Sequence, residues 1–209
     1  MATRLEVFGL TWDPTAANYS WCEDRTAADA WDMLRMRRET LREVRLYICC
    51  VPDLGEEDWG VGRLEWCSLA DFERLELLKV GEYALEALKR AWRRKNKEVS
   101  GMGGFLEDFL PQGIKEVTLW EPGSDLVPAM RRLADKAAWG RYLALDKITV
   151  SPPERMDTYY EGWKDQEFWL RSRAELQSAF GRGRAQFEVK TEQAYGQRHP
   201  FSRVDPYQF

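Results

Sequence analysis

Ile114-Lys115-Glu116-Val117-Thr118-Leu119 decides how this chain is read. Its apolar residues stand in the order apolar, two residues, apolar, one residue, apolar. In extended chain, alternate side chains leave on opposite faces, so Val117 and Leu119 share one face while Glu116 and Thr118 take the other. The same spacing occurs in Leu5-x-x-Phe8-x-Leu10, Leu41-x-x-Val44-x-Leu46, Leu75-x-x-Leu78-x-Val80 and Leu145-x-x-Ile148-x-Val150. A degenerate sixth copy, Arg184-x-x-Phe187-x-Val189, loses the first apolar position.

In a chain of this composition about three such triplets would arise by chance, so their number alone decides nothing. Their order decides more. First positions fall at 5, 41, 75, 114, 145 and 184, which are steps of 36, 34, 39, 31 and 39 residues. Nearly every spacer carries a helical pattern. Thr26 is placed to cap a helix with inner residues Ala27, Ala30, Trp31 and Leu34. Ser68-Leu69-Ala70-Asp71 reads as a short capped turn before Phe72. Ala84, Leu85, Leu88, Ala91 and Trp92 recur at helical spacing, as do Leu126, Met130, Leu133 and Ala137, with Pro128 in the first turn where it is tolerated. A last helix has Trp169, Leu176 and Phe180 on one face, with Gly181 and Gly183 expected to stop it.

A strand, a helix and a return to a parallel strand cannot bury its apolar side alone, whereas stacked copies share a core. The expected fold is therefore α/β: a leucine-rich-repeat-like right-handed βα solenoid. It should have about six parallel strands in sequential order and the helices on the other face. Residues 1–190 form the irregular repeat domain and 191–209 a C-terminal tail.

The totals agree with a folded chain and restrict its partners. With 44% hydrophobic and 32% charged residues and a formal charge of −4, nothing draws the whole molecule toward nucleic acid or an anionic membrane. No apolar run has the length of a membrane span or a signal peptide. Cys22, Cys49, Cys50 and Cys67 contain no CxxC pair, which fits a reduced protein of the cytoplasm or nucleus. The basic run from Lys89 to Lys97 reads as a solvated helix face anchored by Trp92.

Catalysis needs a mutually supporting set of groups, and none is found. The one histidine, His199, sits in a polar tail. Gly101-Met102-Gly103-Gly104 lacks the Lys-Ser/Thr that completes a phosphate loop and reads as a flexible linker. Asp53, Glu56, Glu57 and Asp58 do not have calcium-loop spacing. No cofactor, no metal and no enzymatic activity are expected.

Several stretches carry a family resemblance. Arg37-Arg38-Glu39-Thr40-Leu41-Arg42-Glu43-Val44-Arg45-Leu46 resembles a unit common in F-box and leucine-rich-repeat proteins of filamentous fungi. So does Leu69-Ala70-Asp71-Phe72-Glu73-Arg74-Leu75-Glu76-Leu77-Leu78. Phe109-Leu110-Pro111-Gln112-Gly113, running into Ile114–Leu119, looks like the leucine-proline lead to a strand in that family. Gln177-Ser178-Ala179-Phe180 followed by Phe187-Glu188-Val189 is similar to its closing repeat.

In that family an F-box docks on the adaptor of a cullin-type ubiquitin ligase while the repeats hold the substrate. The resemblance therefore implies a substrate-receptor-like binding region. No F-box segment or N-terminal cap stands before Leu5, so the chain is expected to be the C-terminal part of such a protein or a shortened relative. A ligase adaptor is a partner only if an F-box precedes it. The repeats are also longer than the usual 20–29 residues or so, and the asparagine of many repeat consensus sequences is missing.

Stacking the copies aligns the exposed neighbours in rows: Val7, Glu43, Leu77, Glu116 and Lys147; then Gly9, Arg45, Lys79, Thr118 and Thr149; then Thr11, Tyr47, Gly81, Trp120 and Ser151. The expected protein-binding surface is this mixed-charge face, formed by Glu43, Arg45, Tyr47, Leu77, Lys79, Glu116, Thr118, Trp120, Lys147 and Thr149. Tyr47 and Trp120 are its aromatic candidates. Arg45–Glu43 and Lys79–Glu116 pairs would keep it soluble. A further contact candidate is Trp59, in an acidic loop, where it could equally fold back on the core edge. Two other readings stay open: a small α/β enzyme with helices on both faces of its sheet, and a structural repeat fragment without activity of its own.

Overall fold

The computed structural model describes residues 6–12, 27–48, 68–97, 102–120, 122–151 and 162–190. In chain order these form β1 (Val7–Trp12), α1 (Ala27–Met36), β2 (Glu43–Ile48), β3 (Leu77–Val80) and α2 (Glu82–Lys95). There follow α3 (Phe105–Phe109), β4 (Glu116–Trp120), a 3-10 turn at Ser124–Leu126, α4 (Val127–Ala138), β5 (Lys147–Ser151), α5 (Gly162–Arg182) and β6 (Gln186–Val189). All six strands pair in parallel in one open sheet, in the order β1-β2-β3-β4-β5-β6. Parallel neighbours require a crossover between them, and helices stand in the β1–β2, β3–β4, β4–β5 and β5–β6 spacers; among the described residues the β2–β3 spacer carries none.

The register is the one that the triplets predict. Val44, Leu78, Val117, Ile148 and Phe187 lie side by side, as do Leu46, Val80, Leu119, Val150 and Val189. All ten are buried. Leu5 lies outside the described residues. The first apolar residue of the other four full triplets (Leu41, Leu75, Ile114, Leu145) is also buried, in the turn that leads into the strand.

Directly after it comes a backbone feature that no side-chain pattern shows. The carbonyl of Arg42 accepts the N–H groups of both Glu76 and Leu77, each at 2.9 Å. In the same way Glu6 O accepts from Arg42 and Glu43, Glu76 O from Lys115 and Glu116, and Lys115 O from Asp146 and Lys147. From β1 to β5 equivalent positions thus make equivalent bonds, which satisfies the polar backbone there; at β6 only Gln186 N–H follows the pattern, donating to Asp146 O, while Ala185 N–H turns to Phe180 O.

Helices complete the core. The inner residues predicted for α2 and α4 are buried, as are Trp31 and Leu34 of α1 and Trp169, Leu176 and Phe180 of α5. All of them but Ala91 share one cluster with the buried strand positions. Pro128 stands in the first turn of α4, and Ser68 Oγ accepts the Ala70 N–H at 3.0 Å in the turn that buries Phe72. Trp169 Nε1–H donates to Pro122 O at 2.8 Å, tying α5 to the turn before α4. Gly183 lies so close to the end of α4 that a Cβ there would stand 3.0 Å from Ala137 C and Ala138 N.

Three expectations are corrected. Gly101–Gly104 is not a plain linker where it is described. Met102 is buried, and α3 begins directly after Gly104, where a Cβ would meet Trp92 Cζ2 at 3.4 Å. Gly181 does not stop α5, which runs through it to Arg182. The basic run of α2 is not wholly solvated, because Lys89 is 1% exposed. Its ammonium contacts Glu86 and lies 2.7 Å from Asp125 Oδ1.

The sequential order contains no reversal, so these strands form no topological switch point of the kind that houses ligands in doubly wound sheets. Among the described residues no helix is long and apolar enough to cross a membrane. The four cysteines, His199, the acidic loop with Trp59, and the expected tail 191–209 lie outside the described residues.

Candidate functional site

One side of the sheet carries the apolar positions into the core; the other carries the residues between them. On that open side Glu43, Leu77, Glu116 and Lys147 occupy one row and Arg45, Lys79, Thr118 and Thr149 the next. Trp120 pairs in register with Ser151. The rows are those expected. Arg45 and Glu116 are exposed, and Glu43, Leu77, Lys79, Thr118, Trp120 and Lys147 are half-buried. Tyr47 holds its expected place in β2, opposite Thr11 of β1, while its side chain lies outside what is described.

Thr149 departs from the expectation. It is 5% exposed and its neighbour Ser151 is 1% exposed, so neither belongs to an accessible surface. Thr149 is a short side chain with Thr118 and Glu188 as its register partners on either side. The Lys147–Glu188 ion pair, at 2.8 Å, spans the same two strands. Ser151 Oγ has no hydrogen-bond partner among the described residues.

The charge pattern is also rearranged. Arg45 Nε donates to Glu43 Oε1 at 2.6 Å, as the i,i+2 spacing on one strand face allows. Lys79 turns to that same oxygen, at 3.7 Å, and not to Glu116. The Arg45 hydrogen bond holds the Glu43 carboxyl below the usual carboxylate range; burial opposes this, and the Arg45 and Lys79 charges reinforce it. Lys147 likewise lowers Glu188.

A folded-state value below the unfolded one stabilises above the unfolded pKa and is lost as pH falls through the folded one. Glu43→Gln should therefore cost stability at neutral pH, by about 0.5–1 kcal/mol given its half-exposed partners. Denaturant unfolding should show wild type and variant converging below about pH 4, near the carboxylate range. A gap that persists undiminished in acid would mean that the ion pair is not its source.

The face offers hydrogen-bond donors, carboxylates and an indole edge on a fixed sheet. Comparison with protein-family models, curated proteins and solved structures found no match. Chemistry must therefore be judged from the side chains. Among the described residues no group of three or more His, Cys, Asp or Glu stands close enough to hold a metal ion. A depression of about 660 Å³ lies by the turns before β2 and β3, where Arg38 and Arg74 face Glu39, Asp71 and Glu73. That near balance of charge selects neither anions nor cations.

Proposed function

We propose that this chain is a non-enzymatic protein-interaction module, an irregular leucine-rich-repeat-like solenoid of right-handed βα units. The open sheet face would hold a partner protein, as the repeats of the fungal F-box proteins it resembles hold a substrate. Recruitment to a ubiquitin-ligase adaptor would need an F-box ahead of this sequence. The observation that carries the proposal is the common register of six strands. It sets Glu43, Arg45, Leu77, Lys79, Glu116, Thr118 and Trp120 on one rigid plane without covering them fully. Rigid strands fix contact groups without the ordering cost that a loop surface would add, and Arg and Trp are the residue types that most often dominate interface energy.

The test compares wild type with Arg45→Ala/Lys79→Ala/Trp120→Ala in quantitative affinity capture from an extract of the source organism. Proteins that copurify with the wild type should fall at least about tenfold with the variant, the loss expected of one hot spot or more. Unchanged circular dichroism would show that the sheet persists. Undiminished capture by a folded variant would overturn the site.

A further inference from the structure

β1 pairs with β2 on one side and, among the described residues, with no strand on the other. Its hydrogen bonds show which backbone groups face that outer side. Glu6 O accepts the Arg42 and Glu43 N–H groups, and Val7 stands in register with Glu43. In a parallel ladder successive residues address opposite sides of the strand, so Phe8 and Leu10 turn their N–H and C=O groups to β2. Val7, Gly9 and Thr11 turn theirs away from it. Among the described residues nothing takes those outward groups.

An edge of this kind is a template for another strand, and proteins ordinarily guard it with charge or proline. β6, at the opposite edge, carries Glu188 and is flanked by Arg184 and Lys190. β1 reads Val-Phe-Gly-Leu-Thr-Trp and has neither guard, whereas each of the other described strands holds at least one charged residue. Val7 is 50% exposed. Phe8 is only partly buried, although every other residue of its row is fully buried.

Gly9 is a second and independent sign. Glycine inside a strand weakens it, and the usual reason for one is a bulge, a bend or the close approach of another backbone. Within this chain none of these applies. The register runs unbroken from Val7 to Trp12, Gly9 is not in the left-handed region, and a Cβ there would meet nothing within 4 Å. The remaining reason is a backbone from outside the chain.

We propose that β1 pairs antiparallel with β1 of a second copy, across a two-fold axis that passes beside Gly9. An axis normal to the sheet keeps both cores on one side and both open faces on the other. It also sets one residue opposite its own copy, because opposing odd to even positions would bring core-facing side chains against solvent-facing ones. Centring on Gly9 engages all three outward residues: Gly9 meets Gly9, and Val7 meets Thr11. Each such pair exchanges two hydrogen bonds. Phe8 then falls opposite Leu10, at the end of the core where Phe8 is still partly open. No like charges meet, since Glu6 falls opposite Trp12. A partner of different sequence would find no charge pattern on β1 to select it, whereas the uncharged strand is complementary to itself. These contacts lie at the sheet's edge, so the proposal does not rest on the function proposed above.

The test is sedimentation of the full chain as wild type, Gly9→Ser, Gly9→Lys and Gly9→Glu. Gly9 is exposed with open space about its Cβ, so all three variants should keep the wild-type circular dichroism spectrum. Wild type and Gly9→Ser should form dimers. Gly9→Lys and Gly9→Glu should each be monomeric, because the axis sets like charges directly opposite. Mixed together, they should form a heterodimer at least about tenfold tighter than either variant with itself, as opposite charges then meet. A monomeric wild type would overturn the proposal and leave the edge to a strand of some other kind. So would charged variants that dimerise as wild type does, a mixture no tighter than its components, or an open-ended assembly in place of a dimer.

Discussion

Trp92→Ala is expected to remove about 3–5 kcal/mol of stability, the range for truncating a large buried aromatic side chain. A domain of this kind has only about 5–15 kcal/mol in all, so the urea midpoint should fall by a large fraction. Trp92 is 1% exposed and joins two helices that the backbone alone does not hold together. Its ring meets Phe105 edge-on with centroids 6.2 Å apart, and Phe105 stacks on Phe109 at 5.6 Å. Its Nε1–H donates to Asp108 Oδ2 at 2.8 Å. Removing the ring leaves a cavity lined by α2 and α3, which surrounding side chains refill only in part. Trp92→Phe separates packing from hydrogen bonding, because it retains most of the volume and should cost only about 1 kcal/mol for the lost N–H. Asp108 is exposed and regains water, which keeps that second cost small. If Trp92→Ala lost no more than Trp92→Phe, the packing of α3 would not depend on this ring.

The stacked pair Phe105 and Phe109 shows where sequence reading stopped short. Phe105, Leu106, Phe109 and Leu110 stand at helical spacing and are buried. Their run is only one turn long, and the glycines before it look like a linker. The decisive fact is a contact across the fold: Gly104 admits the Trp92 ring. No local pattern contains it. Strand positions were readable for the opposite reason. A side-chain period of two leaves only two registers for each strand, and a shift by one residue would turn Val44, Leu78, Val117 and Ile148 toward water. The triplets therefore determine which residues share a row.

What that logic does not give is how much of each row water reaches. Thr149 stands in the expected place and is buried, because exposure depends on the length and pairing of neighbours such as Glu188. Ion-pair choice escapes for a similar reason. Lys79 has Glu116 on the next strand in an adjacent row, but Glu43 already accepts from Arg45 and draws the second cation too. Charge pairing on a sheet is decided by side-chain reach among several neighbours, and residue order along the chain does not rank them. The α4–β5 turn escaped altogether. Trp139 and Leu143 look like core residues in the sequence, and only the burial of Tyr142 and Leu145 between and beyond them shows that they point outward.

Removing both acidic partners of Lys89, by Glu86→Ala/Asp125→Ala, is expected to cost about 3–5 kcal/mol, as breaking a buried ion pair from one side does. The ammonium is buried on α2 and contacts Glu86 and Asp125. A Cβ on Gly123 would stand 3.6 Å from Nζ, so the turn before α4 closes over it. With both carboxylates gone, the charge would stay in the protein without a counter-charge, or α2 would have to separate from that turn. Deleting the cation itself has a different consequence. Glu86 and Asp125 side chains are 36% and 38% exposed, and Asp125 keeps Arg93 at 2.8 Å, so both remain hydrated or paired when Lys89 is lost. Lys89→Met, which fills the same space with an apolar chain, should then lie within about 1 kcal/mol of wild type. Adding Lys89→Met to the double variant should restore most of its lost stability, since no charge is left to strand. Urea unfolding of the four proteins forms a cycle whose coupling energy should be large and of the sign that marks mutual dependence. A double variant as stable as wild type, or a triple variant no better than the double, would show that this lysine is not held by the two carboxylates.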